Sequence, residues 1–149
     1  MLGMSKKALC ALEAVIDIAY NGRPDPVQAK DITARQGVPQ RYLEQVLQHL
    51  VRAGILRGVR GPRGGYRLAR ERRRVSVGQV VREIATMEIE DEEANQGSEL
   101  GHNVVRPLID QLQEEMLARL DDVSIEDMCR KARQSQLPTA GADTSNFEI

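Results

Sequence analysis

From Ser5 to Tyr20 apolar residues recur at helical spacing, with Leu9, Leu12, Ile16 and Ala19 on one face and Val15 beside them. Ser5 is placed to cap such a helix, and Asn21-Gly22 followed by Arg23-Pro24 ends it. Glu13 and Asp17 interrupt the apolar run, so the segment reads as an amphipathic helix and not as a secretion signal. A shorter helix fits Gln28–Gln36, with Gly37 at the left-handed position after its end. Pro39 then suits the first turn of a third helix, QRYLEQVLQHLVRAG, whose Leu43, Val46, Leu47 and Leu50 form an inward stripe before Gly54 stops it. Two short helices joined by a glycine turn make the helix-turn-helix pattern.

Beyond Gly54 the period changes. Ile55 to Arg60 alternates weakly, Gly61-Pro62-Arg63-Gly64-Gly65 turns, and Tyr66-Arg67-Leu68 alternates back, which predicts a hairpin with an arginine-bearing tip. A helix-turn-helix followed by such a hairpin is a winged helix. The run RERRR at 70–74 reads as a solvated, phosphate-facing patch. Val77, Val80, Val81 and Ile84 predict a helix from near Ser76, and the acidic residues after it, with Gly and Ser, predict a loop. Val104, Val105, Leu108, Leu112, Met116 and Leu120 then line one side of a long helix that tolerates Pro107 in its first turn. A stripe that long needs a partner, and the same helix of a second copy supplies one. Ser124-Ile125-Glu126-Asp127 is a capping-box pattern for a last short helix.

The expected fold is therefore mainly α: a winged helix-turn-helix with a small β-hairpin wing and a long C-terminal dimerisation helix. The DNA-binding domain covers 1–87, an acidic loop 88–102, dimerisation helices 103–133, and a disordered tail 134–149.

Composition agrees with a helical core built on aliphatic residues, since 41% of the 149 residues are apolar and only 3% aromatic. No apolar run reaches the roughly 18 residues of a membrane span. Two distant cysteines, Cys10 and Cys129, form no metal or disulfide pattern, and a cytoplasmic location is expected. The net charge of −1 conceals a division: residues 1–84 hold sixteen Lys/Arg against seven Asp/Glu, and the remainder five against fifteen. A basic half joined to an acidic half points to a polyanion as partner of the first.

The third helix presents Arg41, Glu44, Gln45, Gln48 and Arg52 outward, with Gln40 at its start. These side chains suit base edges, since Gln pairs with adenine, Glu accepts from cytosine, and Arg reads guanine or grips phosphate. At the hairpin tip, Arg60 and Arg63 carry charge while Gly61 and Gly64 permit tight backbone and close approach to phosphate. His49 stands beside Arg52 as a phosphate neighbour or surface residue. No catalytic set is present: GPRGGY superficially looks like a phosphate loop, but strand alternation follows it instead of a helix. Cys10 is expected to project with Glu13 and Asp17 away from the Leu9 stripe, where it is a possible sensor, although nearby carboxylates make it a poor thiolate. The competing reading is a winged-helix protein-interaction adaptor that does not read DNA sequence.

The stretch RYLEQVLQHLVRAGILRGVRGPRGGYRLAR resembles the Rrf2 family of bacterial winged-helix regulators, to which IscR, NsrR and CymR belong. The likeness runs from about Ser5 to Lys131 and is most specific in YLEQ and in the GPRGGY turn. It implies a homodimeric regulator, typically a repressor, bound to a double-stranded DNA operator. It further implies that Arg41, Glu44 and Gln45 read the major groove while Arg60 and Gly61 enter the minor groove. Cluster-binding members carry three cysteines before the long helix. None is present there: Asn103 stands near the last of those positions, and His102 is the only soft ligand nearby. The resemblance thus implies no iron–sulfur cluster and no other cofactor. It points to sulfur, cysteine or iron–sulfur metabolism as the regulated process, with an effector or partner enzyme that it does not identify.

Overall fold

The computed structural model describes residues 4–92 and 97–139, and side chains outside 89–92 among them. Helix α1 (Lys6–Asn21) is capped by Ser5, whose Oγ accepts from the Ala8 amide at 3.1 Å. Helix α2 (Ala29–Gln36) starts in a capping box between Gln28 and Asp31 and ends at Gly37, whose φ of 67° no side chain adopts cheaply. Pro39 is the cap of helix α3 (Gln40–Arg52) and not part of its first turn, so it directs the chain into the helix from outside.

The hairpin pairs β1 (Leu56–Val59) with β2 (Gly65–Leu68) in antiparallel register, Leu56 opposite Leu68 and Arg57 opposite Arg67. Val27 adds a bridge on the outer side of β2, exchanging both backbone hydrogen bonds with Tyr66 at 3.0 and 2.7 Å. That approach needs Gly65, because a Cβ there would meet the Val27 carbonyl oxygen at 2.4 Å. A 3-10 turn (Arg72–Arg74) leads to helix α4 (Val77–Glu92). Helix resumes at Glu99, passes through a π-helical turn (Gly101–Val105) and continues as α5 (Arg106–Asp121) and α6 (Ile125–Gln134).

Two expectations are corrected and one is qualified. The core face of α1 is Ala8, Ala11, Val15 and Ile18, all buried, whereas Leu9 is 48% exposed and Leu12, Ile16 and Ala19 are only half-buried. Alanines let α1 approach α3 and α4 closely, so the smaller side chains, and not the larger ones, face the core. The acidic loop expected over 88–102 is shorter, since α4 continues through residue 92 and residues 99–102 are helical; glutamate favours helix, and no Gly or Pro intervenes before Gly97. Residues 93–96 of that segment, and 140–149 of the tail, lie outside the described residues. The arginine run is solvated except at Arg72, which is half-buried. Arg72 is paired with Glu126 of α6, and Arg73 with Glu71 at 2.6 Å.

The core joins α1, α3, α4 and α6 through Val15, Leu43, Leu47, Leu50, Ile84 and Ile125. The segments before α4 and α6 also lie side by side. Val77 N–H donates to the Val123 carbonyl and Ile125 N–H to the Val75 carbonyl, both at 2.8 Å, and each helix then opens on its own serine, Ser76 or Ser124. Arg82 of α4 forks across to Glu114 and Asp121 of α5 at 2.9 and 2.8 Å, which raises its own pKa and holds both carboxyls below their usual range.

Candidate nucleic-acid interface

Helix α3 is amphipathic in the strict sense. Leu43, Val46, Leu47 and Leu50 are buried at i, i+3, i+4 and i+7, which turns Gln40, Arg41, Glu44, Gln45, Gln48 and Arg52 to the surface, all exposed. Two contacts restrain that face. Gln40 Nε2 donates to Glu44 Oε1 at 3.3 Å, and Arg41 donates to the Tyr42 hydroxyl at 3.0 Å with its guanidinium 4.9 Å from the ring centroid. Pro39 offers no side-chain cap, so no cap side chain bonds the first N–H groups at the positive end of α3.

Helix α1 is tied to the helix-turn-helix by a group that the sequence reading placed away from the core. Asp17 is buried, its side chain 0% exposed, and it accepts from Arg35 Nε and Nη2 at 2.9 and 2.7 Å and from Gln36 Nε2 at 2.8 Å. All three bonds come from the last turn of α2, so this carboxylate ties α2 to α1. On the other side, His49 faces Glu83 at 3.4 Å and Thr86 at 3.3 Å, linking α3 to α4 instead of standing free beside Arg52.

At the wing, Arg60 and Arg63 are exposed, as are Gly61 and Pro62. Gly61 has φ 109°, so the tip needs glycine there. Gly64 departs from expectation. It is buried, its N–H donates to the Gly61 carbonyl at 2.9 Å, and a Cβ on it would meet the Val59 carbonyl oxygen at 2.2 Å. Its backbone donor closes the turn and is not available to a ligand. The base of the wing is pinned by Arg67, which donates to the carbonyls of Gly22 and Pro24 at 3.0 and 2.6 Å.

Cys10 lies half-buried against the core and not on an open face with Asp17; burial first, then Glu13, pushes its thiol pKa up. Cys129 is fully buried, and burial raises its thiol as well. Neither is placed as a reactive thiolate. No helix among the described residues is long and apolar enough to cross a membrane.

A family model described as Rrf2, iron-dependent transcriptional regulator, matches residues 4–131. The chain belongs to the Rrf2 family. Among curated proteins, it is 40% identical over 78 residues to the HTH-type transcriptional regulator IscR of Photobacterium profundum and 40% identical over the same length to that of Vibrio cholerae. Each match takes in 52% of this chain and 45% of the relative, so the chain spans less than half of the proteins it matches there. Among solved structures, T. potens IscR superposes with a TM-score of 0.71 at 29% identity, covering 93% of this chain and 94% of that one. The oxidised form of Staphylococcus aureus CymR superposes at 0.66, with 23% identity over 85% of this chain and 95% of its own, and shares the fold.

An iron–sulfur cluster, which likeness to this family raises, does not fit the donors of this Rrf2 chain. It has two cysteines, of which Cys129 is sealed in the core, and His102 is exposed on the π-helical turn. Among the described residues no three His, Cys, Asp or Glu side chains are grouped to hold a metal ion.

Proposed function

We propose that this chain is a homodimeric, sequence-specific DNA-binding transcriptional regulator that acts as a repressor by occupying its operator. The observation carrying this reading is the exposed face of α3 set beside an arginine-tipped wing. In it, Arg41, Glu44, Gln45 and Gln48 contact base edges in the major groove, with Gln40 holding Glu44 in place and the helix end beside a phosphate. Arg60 and Arg63 enter the adjacent minor groove across Gly61, where readout rests on groove width and potential. The resemblance to the Rrf2 family, whose model is described as iron-dependent, supports sulfur, cysteine or iron–sulfur metabolism as the regulated process, and action on DNA supports a cytoplasmic location.

Dimerisation is supported by the near half of the C-terminal stripe. Leu100, Val104, Val105, Leu108 and Leu112 are 48–67% exposed, while Leu117 and Leu120 turn in against the core. Covering each of the five is worth about 1 kcal/mol, on both copies of a two-fold pair.

Selection from a random duplex pool at about 0.15 M salt is the test. The expected product is an imperfect palindrome retained at nanomolar protein, lost when Leu108→Asp and Leu112→Asp together make the chain monomeric. Retention that is weak and blind to sequence would instead favour the protein-interaction adaptor.

A further inference from the structure

Behind the wing lies an open recess of about 1010 Å³ whose lining contains no residue of α3 and none of the wing tip. Its floor is apolar, formed by Ile18 and Ala19 near the end of α1 and by Leu68 and Ala69. Its walls are the opposite: seven arginines and two glutamates, drawn from the turn after α1, both wing strands, the 3-10 turn and α6. The two glutamates are already committed, Glu126 to Arg72 and Glu71 to Arg73. Arg130 reaches Asp127 at 3.7 Å. Arg67 is held by two backbone carbonyls, which orient it without neutralising it. Arg23, Arg57 and Arg70 make no ion pair among the described residues. Four of the seven arginines that line the recess therefore have no carboxylate partner among the described residues.

One of those juxtapositions is unfavourable as it stands. Arg57 and Arg67 are directly opposite in the β1–β2 register, where like charges on neighbouring strands destabilise the pair. An anion seated between them reverses the sign of that interaction. Guanidinium forks fit phosphate oxygens in bidentate fashion, and several around one opening match a ligand with two or more linked phosphates better than a single carboxylate. The apolar floor has room for an organic moiety attached to them.

We infer that this recess binds a multiply phosphorylated small molecule, through Arg23, Arg57, Arg67 and Arg70. Duplex DNA carries the same phosphate chemistry, but the position disfavours it. The Arg57–Arg67 pair sits at the base of the hairpin, three residues before Arg60, or about 10 Å of strand behind the tip. The apolar residues belong to α1 and to the end of β2, not to the recognition helix.

The probes are sodium pyrophosphate and ATP, titrated calorimetrically into the full chain without DNA at about 50 mM salt, where charge contacts are least screened. Saturable binding is expected, at least tenfold weaker in Arg57→Ala/Arg70→Ala and within twofold of the parent in Arg60→Ala/Arg63→Ala. Pyrophosphate should raise the melting temperature of the parent and not of the first variant, which without ligand should melt no lower than the parent because a like-charge pair has been removed. Absence of saturable binding, or equal loss in both double variants, overturns the inference. So does a fall in operator affinity and salt slope for Arg57→Ala/Arg70→Ala matching that of the tip variant, which would assign the recess to the duplex.

Discussion

The Asp17 carboxylate offers a sharp test because its two sides are unequally buried. Its side chain is fully enclosed, whereas that of Arg35 is 31% exposed. In Arg35→Met the carboxylate stays buried with only the Gln36 amide of its three α2 donors, the costly way to break such a pair, at about 3–4 kcal/mol. Asp17→Asn keeps the shape and an acceptor oxygen and leaves no buried charge behind, so the loss is about 1–2 kcal/mol. For a chain of this length these correspond to melting temperatures lower by about 10–15 °C and about 5 °C. In the Arg35→Met background, Asp17→Asn should stabilise, because it removes the lone buried charge. Circular dichroism melts of the four proteins at one fixed concentration read this directly. If the double variant falls by the sum of the two singles, or if Asp17→Asn costs more than Arg35→Met, the clamp is not a charge pair of consequence.

The interface and the acidic half yield further expectations. Glu44→Ala should relax specificity at one or two operator positions, while Arg60→Ala weakens binding to most sequences and lowers the salt slope by about one, both read from footprints and salt titrations. Arg82 holds Glu114 and Asp121 below their ordinary values, so its contribution is complete above the usual carboxylate range and is lost as pH falls through the lowered values. Accordingly, the difference in melting temperature between Arg82→Gln and the parent should be constant above about pH 5 and vanish in stronger acid. With both thiols raised, alkylation at neutral pH should run slower than for a free cysteine, and Cys129 should react only as the chain unfolds; fast labelling of Cys129 in the native protein contradicts its burial.

Much of this architecture was legible because the chain marks it with residues whose backbone demands are local. Gly37 and Pro39 bracket the helix-turn-helix, and Gly61 and Gly65 meet requirements of the hairpin that only glycine satisfies cheaply. The outward face of α3 followed from four leucine and valine positions. What failed required knowledge of distant partners. Helix α1 has two apolar stripes, and periodicity cannot tell that Ala8 and Ala11 face the core while Leu9 does not. Asp17 looks like any surface acid until residues 18 and 19 positions along the chain, Arg35 and Gln36, are brought to it. Gly64 was read as a close approach to phosphate, but the close approach is to the Val59 carbonyl and its amide is consumed by the turn itself.

The short ladder between Val75–Val77 and Val123–Ile125 has a mechanical consequence. The chain enters α4 and later enters α6 through one paired root, and Arg82 cross-braces α4 to α5, so this root is a fixed point and not a slack tether. That fulcrum adjoins the arginine turn that abuts α6 and feeds from the wing. In the proposed dimer, where α5 of two copies would meet, the same root joins the dimer helix to the segment that follows the wing, so the spacing of the two blades on a duplex would depend on how the copies pack.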